Sequence, residues 1–317
     1  MYCYPVIPSF VHFYGWNLPN VEGLYVRNGY GLQWTLKTIP VGLFNWASNI
    51  KYLQMYNVGL EALKCDVFQP LKNSLSFLNM HSNLFREFPS CVLKNLNQLE
   101  RIYFSSQNIE SANIDDLELN SLKYITLRQN KISNFSISNI NNYNDIQILL
   151  DFNKISYLNI SGVNRISHLQ GKVNKISKIN HGIFHSSHSN LVYLELSYNA
   201  LDDDVWNVLE GVTSLKTLKL KQNKLHTVRP SVLNRLSALN ELDLSHNYIT
   251  SFADVLLRSG TMLNVLLNSN TLLNFPSNVI DDTNTFGSIY DCTIDISNNR
   301  LDNIKLLIFQ QLVQNLH

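Results

Sequence analysis

Three histidines, His181, His185 and His188, form the grouping in this sequence that comes nearest to a metal site. Residues four apart lie on one face of a helix, so His181 and His185 have a spacing that suits two zinc ligands. The surrounding segment, HGIFHSSHSN, contains no cysteine, aspartate or glutamate that would complete a ligand set. We therefore interpret it as a solvated loop, and we predict no metal and no cofactor.

The acidic run and the cysteines also lack the spacing of a reactive or ligating site. Asp202–Asp204 has none of the Asp-x-Asp-x-Asp-Gly spacing of a calcium loop, so we interpret it as a polar turn. The four cysteines, Cys3, Cys65, Cys91 and Cys292, include no C-x-x-C pair. The sequence has no G-x-S-x-G, P-loop or H-E-x-x-H motif. We predict that the protein is not an enzyme.

The composition combines a low charge content with an excess of asparagine and leucine. Charged residues make up 15% of the 317 residues, and 25 Lys and Arg face 24 Asp and Glu. Such a balance supplies no overall field for nucleic acid or an anionic membrane, so we predict neither as a partner. The sequence contains 42 Asn and 49 Leu. Its apolar runs are far shorter than the roughly 20 residues that cross a bilayer, so we predict no membrane span in this chain.

The pattern L-x-x-L-x-L-x-x-N-x-L recurs along the chain and accounts for both excesses. It is seen at 24-residue intervals in LVYLELSYNAL from Leu191, LKTLKLKQNKL from Leu215 and LNELDLSHNYI from Leu239. Twelve such units start near residues 21, 50, 75, 99, 122, 145, 166, 191, 215, 239, 262 and 291. A repeat of this length buries its apolar face only against neighbouring copies, so we predict a single solenoid over residues 21–317. Residues 1–20 are interpreted as a remnant or atypical N-terminal cap.

Asparagine occupies the ninth position in nine of the units. The leucines of L-x-L face one side of a short strand, and the asparagine follows where the chain leaves that strand. Its side-chain oxygen and amide can pair backbone groups in the turn, which predicts a structural ladder. The ladder residues are Asn83, Asn130, Asn153, Asn174, Asn199, Asn223, Asn247, Asn270 and Asn299. Val58 and Gln107 stand at this position in two other units, where we expect irregular rungs.

These units resemble the leucine-rich repeat family over nearly the whole chain. The resemblance implies an α/β solenoid of about twelve repeats. Its horseshoe would have a parallel β-sheet on the concave face and short helical, 3₁₀ or irregular segments on the convex face. The repeat length resembles animal extracellular members such as Toll-type receptor ectodomains, chaoptin-like adhesion proteins and Slit-like ligands. Such members usually end in a cysteine-rich cap, so we expect a fragment; the alternative is that Ile304–Leu316 closes the solenoid.

The resemblance also implies a function, a location and a kind of partner. We expect a non-catalytic recognition module, the ligand-binding or adhesion ectodomain of a cell-surface or secreted protein, with a protein ligand or receptor as partner. A membrane anchor in the full-length form stays open. Asn134 and Asn159 begin N-x-S sequons that suit glycosylation. Cys65 and Cys91 lie on adjacent convex segments and either form a disulfide or are free thiols. The sparse cysteines and the missing signal peptide favour the alternative, a cytoplasmic scaffold or adaptor for protein complexes.

The residues between the structural leucines are the candidate contact residues, because alternate side chains of a strand point to opposite faces. In the first half of the chain they are mainly aromatic, and in the second half they alternate in charge. The predicted partner-binding residues are Tyr52, Tyr56, Phe77, Arg101, Tyr103, Tyr124, Tyr193, Glu195, Lys219, Glu241 and Asp243. The alternative is that the aromatic residues only stack across neighbouring strands.

Overall fold

The computed structural model describes residues 20–27, 35–115, 117–138, 140, 144–161, 163, 165–180, 184, 190–256, 262–276 and 291–301. Two compact units make up the chain, residues 1–174 and residues 175–317. The single solenoid over 21–317 therefore stays a prediction. The histidines 181, 185 and 188, nearly all of the proposed cap and the segment Ile304–Leu316 lie outside the described residues.

The first unit contains two parallel sheets. Its strands are β1 (Gly23–Arg27), β2 (Tyr52–Tyr56), β3 (Phe77–Asn79), β4 (Arg101–Tyr103), β5 (Ser111–Asn113), β6 (Tyr124–Thr126), β7 (Asn134–Ser138), β8 (Ile146–Leu149), β9 (Tyr157–Ser161) and β10 (Ile166–Gln170). Strands β1, β2, β3, β4, β6, β8 and β10 are neighbours in that order and form the first-unit sheet. Strands β5, β7 and β9 pair with one another on the return side of the repeats.

The second unit continues the same strand pattern. Its strands are β11 (Lys178–Ile179), β12 (Tyr193–Glu195), β13 (Thr217–Lys219), β14 (Glu241–Asp243), β15 (Met262–Leu266) and β16 (Asp291–Asp295). Strands β12 to β16 pair in parallel and in sequence order, which gives the second-unit sheet. Within each unit, the predicted solenoid arrangement with one parallel strand to each repeat is confirmed.

Short helical segments complete the return side of several repeats. They are the 3₁₀ helices Leu43–Trp46 and Gln69–Leu71, and the α-helices α1 (Ser90–Leu93), α2 (Val205–Val208) and α3 (Pro230–Leu233). None of the helices in the described ranges has the length and apolarity that a membrane crossing requires.

The apolar positions of the repeat form the core of each unit. In the first unit Leu53, Leu78 and Ile102 are partners in register on adjacent strands, and all three are fully buried. Phenylalanines fill the wider space behind the sheet, where the ring centroids of Phe85 and Phe88 lie 5.6 and 5.2 Å from that of Phe104. The second unit is built alike, with Leu residues stacked along β12, β13 and β14.

The asparagines tie each repeat to the one before it. Asn130 accepts the N–H of Ile109 at 3.2 Å and donates to the carbonyls of Phe104 and Leu127, both at 2.9 Å. The same three bonds, two to the preceding repeat and one within the repeat, recur at Asn83, Asn153, Asn174, Asn223, Asn247, Asn270 and Asn299. Asn199 accepts the N–H of Ile176 at 2.8 Å and donates to Leu196. These bonds satisfy backbone groups that would otherwise be buried and unpaired.

The return segments between residues 111 and 161 differ from the helical or irregular segments that the sequence predicts. They form β5, β7 and β9, because apolar side chains alternate there with Ser and Asn at the period of a strand. Phe135 and Ile137 are buried in β7, and Leu158 and Ile160 are buried in β9. The repeats that start at 122 and 145 are only 23 and 21 residues long, which favours an extended return segment over a helical one.

Candidate partner-binding face

The first-unit sheet presents side chains on its outer face, the face turned away from the leucine core. Four of them form a row across β2, β3, β4 and β6, which we call the aromatic row: Tyr52, Phe77, Tyr103 and Tyr124. Successive ring centroids are separated by 6.2, 5.0 and 5.0 Å, with interplanar angles of 48°, 35° and 33°. Tyr52 and Phe77 are partners in register on adjacent strands, about 4.8 Å apart. On β4 the register partner of Phe77 and Tyr124 is Arg101, and Tyr103, two residues further along the strand, reaches both rings diagonally.

The rings of the aromatic row stack and still keep much of their surface in solvent. Tyr52 is 44% exposed, and Phe77, Tyr103 and Tyr124 are half-buried. Beside the row, Tyr56 is 43% exposed and stacks on the ring of His81 at 5.6 Å. Stacking fixes the orientation of these rings in advance, so a partner that covers them loses little conformational entropy.

Two arginines lie close to Tyr124, the last ring of the aromatic row. Arg101 is exposed and is the in-register neighbour of Tyr124 on the adjacent strand. Burial raises the pKa of Tyr124, helped by Tyr103, and the charges of Arg128 and Arg101 oppose that rise. Both guanidinium groups therefore act on the Tyr124 hydroxyl, which stays protonated and available as a hydrogen-bond donor at neutral pH.

A buried carboxylate fixes one of these arginines. The Nε of Arg128 lies 2.6 Å from Oδ2 of Asp151, and its terminal nitrogen also donates to Gln170. Asp151 is 5% exposed, and its other oxygen accepts the backbone N–H of Lys172 at 2.8 Å. Arg128 is thus held on the sheet surface, while Arg101 extends into solvent.

The charged residues of the second unit serve mainly internal contacts. Glu195 is 8% exposed, and its carboxylate accepts the N–H of Ser197 at 2.9 Å. Asp243 is 9% exposed and accepts the N–H and hydroxyl of Ser245 at 3.0 and 2.6 Å. The sequence places both in a partner-binding surface, but the structure uses them to close the turn after the strand. Both stay predicted contacts, although their carboxylates already accept hydrogen bonds within their own repeats.

Lys219 and Glu241 form an ion pair at 2.8 Å on the same face. Burial lowers the pKa of Lys219, but the hydrogen bond and charge of Glu241 outweigh that effect and raise it overall. Tyr193 is half-buried on β12, the strand next to β13, where it is in register with Thr217. These three residues stay candidate contacts, although the pair is already internally neutralised.

The other residues singled out in the sequence have structural partners. Asp202 accepts the N–H of Asp204 at 3.1 Å within the run, and Asp203 accepts the N–H groups of His226 and Thr227 in the next repeat, at 2.9 and 3.1 Å. No group of three metal-ligating side chains occurs within the residues that the structure describes. Cys65 and Cys91 are joined by a disulfide with their Cα atoms 5.0 Å apart, and both residues are exposed.

The two sequons lie on the second sheet of the first unit. Asn134 is the exposed first residue of β7, and the buried Phe135 that follows turns its side chain the opposite way. Asn159 is half-buried in the middle of β9, in register with Ser136. A glycan at Asn134 would therefore project from this sheet and leave the outer face of the first-unit sheet uncovered.

Comparison with known proteins gives the same repeat and fold. Residues 172–225 and 213–273 match the family model described as leucine rich repeat. The chain is 24% identical to Toll-like receptor 4 of Bos taurus over 209 residues, which cover 64% of this chain and 24% of that protein. It is 26% identical to lumican of Gallus gallus over 249 residues, which cover 76% of this chain and 68% of that protein. The chain thus spans about a quarter of the receptor's length.

Among solved structures, the complex of Toll and Spatzle from Drosophila is similar with a TM-score of 0.64. The match covers 90% of this chain and 42% of the other, at 18% sequence identity. At that identity the similarity shows the fold, a leucine-rich repeat solenoid. It carries no information about which residues of this chain touch a partner.

Proposed function

We propose that this chain, a leucine-rich repeat protein, is a non-catalytic recognition module of a cell-surface or secreted protein. It binds a protein partner through the outer face of the first-unit sheet. The observation that carries the proposal is the aromatic row, which holds four ordered and partly exposed rings on a rigid sheet. Its relatives by sequence include Toll-like receptor 4 and lumican, which support a recognition role.

The physical character of the row favours a binding surface over a purely structural stack. Tyrosine and arginine are enriched among the residues that contribute most to protein interfaces, and here Tyr103, Tyr124 and Arg101 are neighbours. Rings needed only for stability would be expected in the core, where Phe85, Phe88 and Phe104 already pack. Removing partly exposed aromatic surface from water contributes roughly 25 cal/mol per Å² to binding.

The disulfide supports an extracellular location over the cytoplasmic alternative. Bonds such as Cys65–Cys91 persist in oxidising compartments, whereas cytosolic glutathione and thioredoxin keep exposed thiols reduced. Both cysteines lie at the surface, where such reductants would reach them. The sequon at the exposed Asn134 points the same way.

Site-specific photo-crosslinking tests the proposed surface. A benzoylphenylalanine placed at Tyr103 would lie within the aromatic row, and one at Tyr157 would lie on the second sheet, where the native side chain is 47% exposed. Both labelled chains would be incubated with the extracellular fluid and intact cells of the source tissue. We expect a discrete crosslinked protein from position 103 and none from position 157.

Competition decides whether the crosslink reports specific recognition. Excess unlabelled wild-type chain should abolish it, and the double variant Tyr103→Ala/Tyr124→Ala should not, provided that its melting temperature shows it to be folded. Equal crosslinking from both positions would refute the proposed surface, as would full competition by the double variant.

A further inference from the structure

The outer face of the first-unit sheet is basic, although the chain as a whole carries a net charge of +1. Outward positions of β1 to β10, and the positions directly after these strands, hold four cationic side chains and one carboxylate. They are Arg27, Arg101, Arg128, Lys172 and Asp151. The carboxylate is 5% exposed and already paired with Arg128. The exposed guanidinium of Arg101 therefore lies among tyrosine rings on a face where cationic residues outnumber carboxylates.

The second-unit sheet lacks this basic character. Its corresponding positions hold four carboxylates, Glu195, Glu241, Asp243 and Asp295, and two lysines, Lys219 and Lys221. Glu195 and Asp243 are nearly buried and Glu241 pairs with Lys219, so this face has little net charge to offer a partner. The basic face is the one that carries the aromatic row.

Arg101 is the cation best placed to contact a ligand. It is exposed, and within the described part of the chain it forms no ion pair. Its register partners are Phe77 on one side and Tyr124 on the other, both in the aromatic row. A guanidinium in this position can bind a carboxylate through two parallel hydrogen bonds, while the rings beside it accept apolar surface.

We propose that the outer face of the first-unit sheet binds an extended, acidic segment of a protein partner. Carboxylates of that segment pair with Arg101 and with the remaining donors of Arg128, and its apolar side chains lie on the aromatic row. This rests on the proposed function and specifies the chemistry of the partner. The row crosses four strands and measures about 14 Å, the length of roughly four residues of extended chain.

A protein segment suits this face better than a nucleic acid does. Binding to a phosphate backbone draws most of its free energy from counterions that many closely spaced cations release. Here the cations are few and one of them is neutralised by Asp151. A peptide that carries both carboxylates and aromatic or apolar side chains can use these few cations and the rings beside them without needing a strong overall field.

Fluorescence anisotropy with labelled model peptides tests the proposal on the full chain. The probes are a peptide of four Glu-Tyr-Gly triplets, the matching peptide of four Lys-Tyr-Gly triplets, and a Glu-Ser-Gly peptide that lacks the rings. A single-stranded oligouridine of similar length tests the nucleic-acid outcome. We expect the Glu-Tyr-Gly peptide to bind at least about tenfold more tightly than each of the other probes, and its affinity to fall with added salt.

Charge reversal at Arg101 provides the residue-specific test. Arg101→Glu should weaken binding of the Glu-Tyr-Gly peptide about tenfold or more. The matched control is Arg86→Glu, since Arg86 is also exposed in the first unit but lies after β3, outside the outer face. The control should bind as the wild type does.

Several outcomes would overturn the inference. These are no binding of the Glu-Tyr-Gly peptide at about 1 mM, equal or tighter binding of the lysine peptide or of oligouridine, or an Arg101→Glu variant with unchanged affinity. The photo-crosslinking experiment tests the proposed function separately. A partner captured from position 103 by photo-crosslinking that proves basic or neutral would leave the recognition surface in place and refute only its preference for acidic segments.

Discussion

The Nε2 of Gln107 donates a hydrogen bond of 3.0 Å to the carbonyl oxygen of Met80. Its Oε1 accepts the N–H of Phe85 at 3.3 Å. These are the two bonds that a ladder asparagine makes to the preceding repeat, as Asn130 does one repeat later. Gln107 therefore continues the ladder, because its longer side chain carries the same amide to the same groups. The sequence pattern marks this unit as irregular, and at this position that prediction was wrong.

Removing a ladder amide should destabilise the first unit strongly. Asn130→Ala would leave the N–H of Ile109 and the carbonyl of Phe104 buried and without their partner, whereas the carbonyl of Leu127 keeps its bond from Asn153. Each such group costs about 1–3 kcal/mol, so we expect a loss of roughly 2–4 kcal/mol after partial relaxation. Urea unfolding followed by circular dichroism measures it.

Two variants serve as controls for the ladder. Asn73→Ala changes an exposed asparagine in a turn and should alter stability by less than about 0.5 kcal/mol. Gln107→Asn tests the equivalence of the two amides and should cost less than Asn130→Ala. An Asn130→Ala variant as stable as Asn73→Ala would show that water satisfies these groups and that the ladder is dispensable.

Relief of backbone strain at Val173 should stabilise the protein. Val173 has a φ of 55°, in the left-handed region that a β-branched residue adopts at a cost of about 1–2 kcal/mol. Equivalent positions in other repeats hold Asn57 and Asn298 at φ 52° and 56°. Val173→Asn should raise the melting temperature by a few degrees, since about 1 kcal/mol is regained and the side chain is already 36% exposed.

Val41 provides the matched control for that substitution. It is 48% exposed and does not belong to the positive-φ positions. Val41→Asn should therefore leave the melting temperature unchanged or slightly lower. An increase at both positions would mean that the gain comes from surface polarity and not from the backbone conformation of residue 173.

The repeat made the sheet, the core and the ladder predictable from the sequence. Leucines of L-x-L can be buried together only if each unit contributes one parallel strand, so Leu53, Leu78 and Ile102 had to stack. The return segments were less predictable, because a few residues of alternating polarity fit either an irregular segment or a strand. In β7 and β9 the pairing of neighbouring repeats decided between them.

Details of the candidate surface depended on contacts that spacing does not reveal. The alternation of strand residues placed Tyr103, Glu195 and Asp243 on the outward side, but it could not show that the two carboxylates turn back to Ser197 and Ser245. The ion pair of Arg128 and Asp151 was missed for the same reason. The sequence did contain a signal for this pair, because Arg128 and Asp151 occupy the same position in adjacent repeats, and such positions lie side by side in a parallel sheet.

Acid should destabilise the protein partly through His81. Burial lowers the pKa of His81 from its ordinary value of 6.5. The unfolded chain then binds the proton more readily than the folded chain does. The stability that neutral His81 contributes is therefore fully present above about pH 6.5, and it is lost as the pH falls toward the lower pKa of the folded state. The melting temperature should fall between about pH 7.5 and 5.5, and His81→Gln should reduce that fall.

The variant His246→Gln is the control for this pH dependence. Its side chain is exposed, so it should reproduce the wild-type profile. Since burial also lowers the pKa of His168, the double variant His81→Gln/His168→Gln should flatten the profile further. Identical profiles for wild type and double variant would assign the acid sensitivity to other groups.

Expression through a eukaryotic secretory pathway should attach a glycan to Asn134. The residue is exposed at the start of β7, and Ser136 supplies the hydroxyl that the sequon requires. Asn134→Gln should remove one glycan, seen as a mass step that peptide-N-glycosidase reproduces on the wild type. Ser136→Thr, which keeps the sequon, should remain glycosylated. A secreted wild-type chain with no glycan at this residue would contradict the assignment.

Loss of the disulfide should lower the stability of the first unit. Cys65 and Cys91 are separated by 26 residues, and closing a loop of that size stabilises a fold by roughly 3 kcal/mol in the chain-entropy model. The double variant Cys65→Ser/Cys91→Ser should therefore unfold at lower urea concentration than the secreted wild type. Wild type treated with dithiothreitol should match the variant, and the variant itself should not respond to the reductant.

A cross-linked peptide containing both cysteines should appear in a non-reducing digest. Two separately alkylated cysteines in the secreted protein would refute the bond and withdraw its support for an extracellular location.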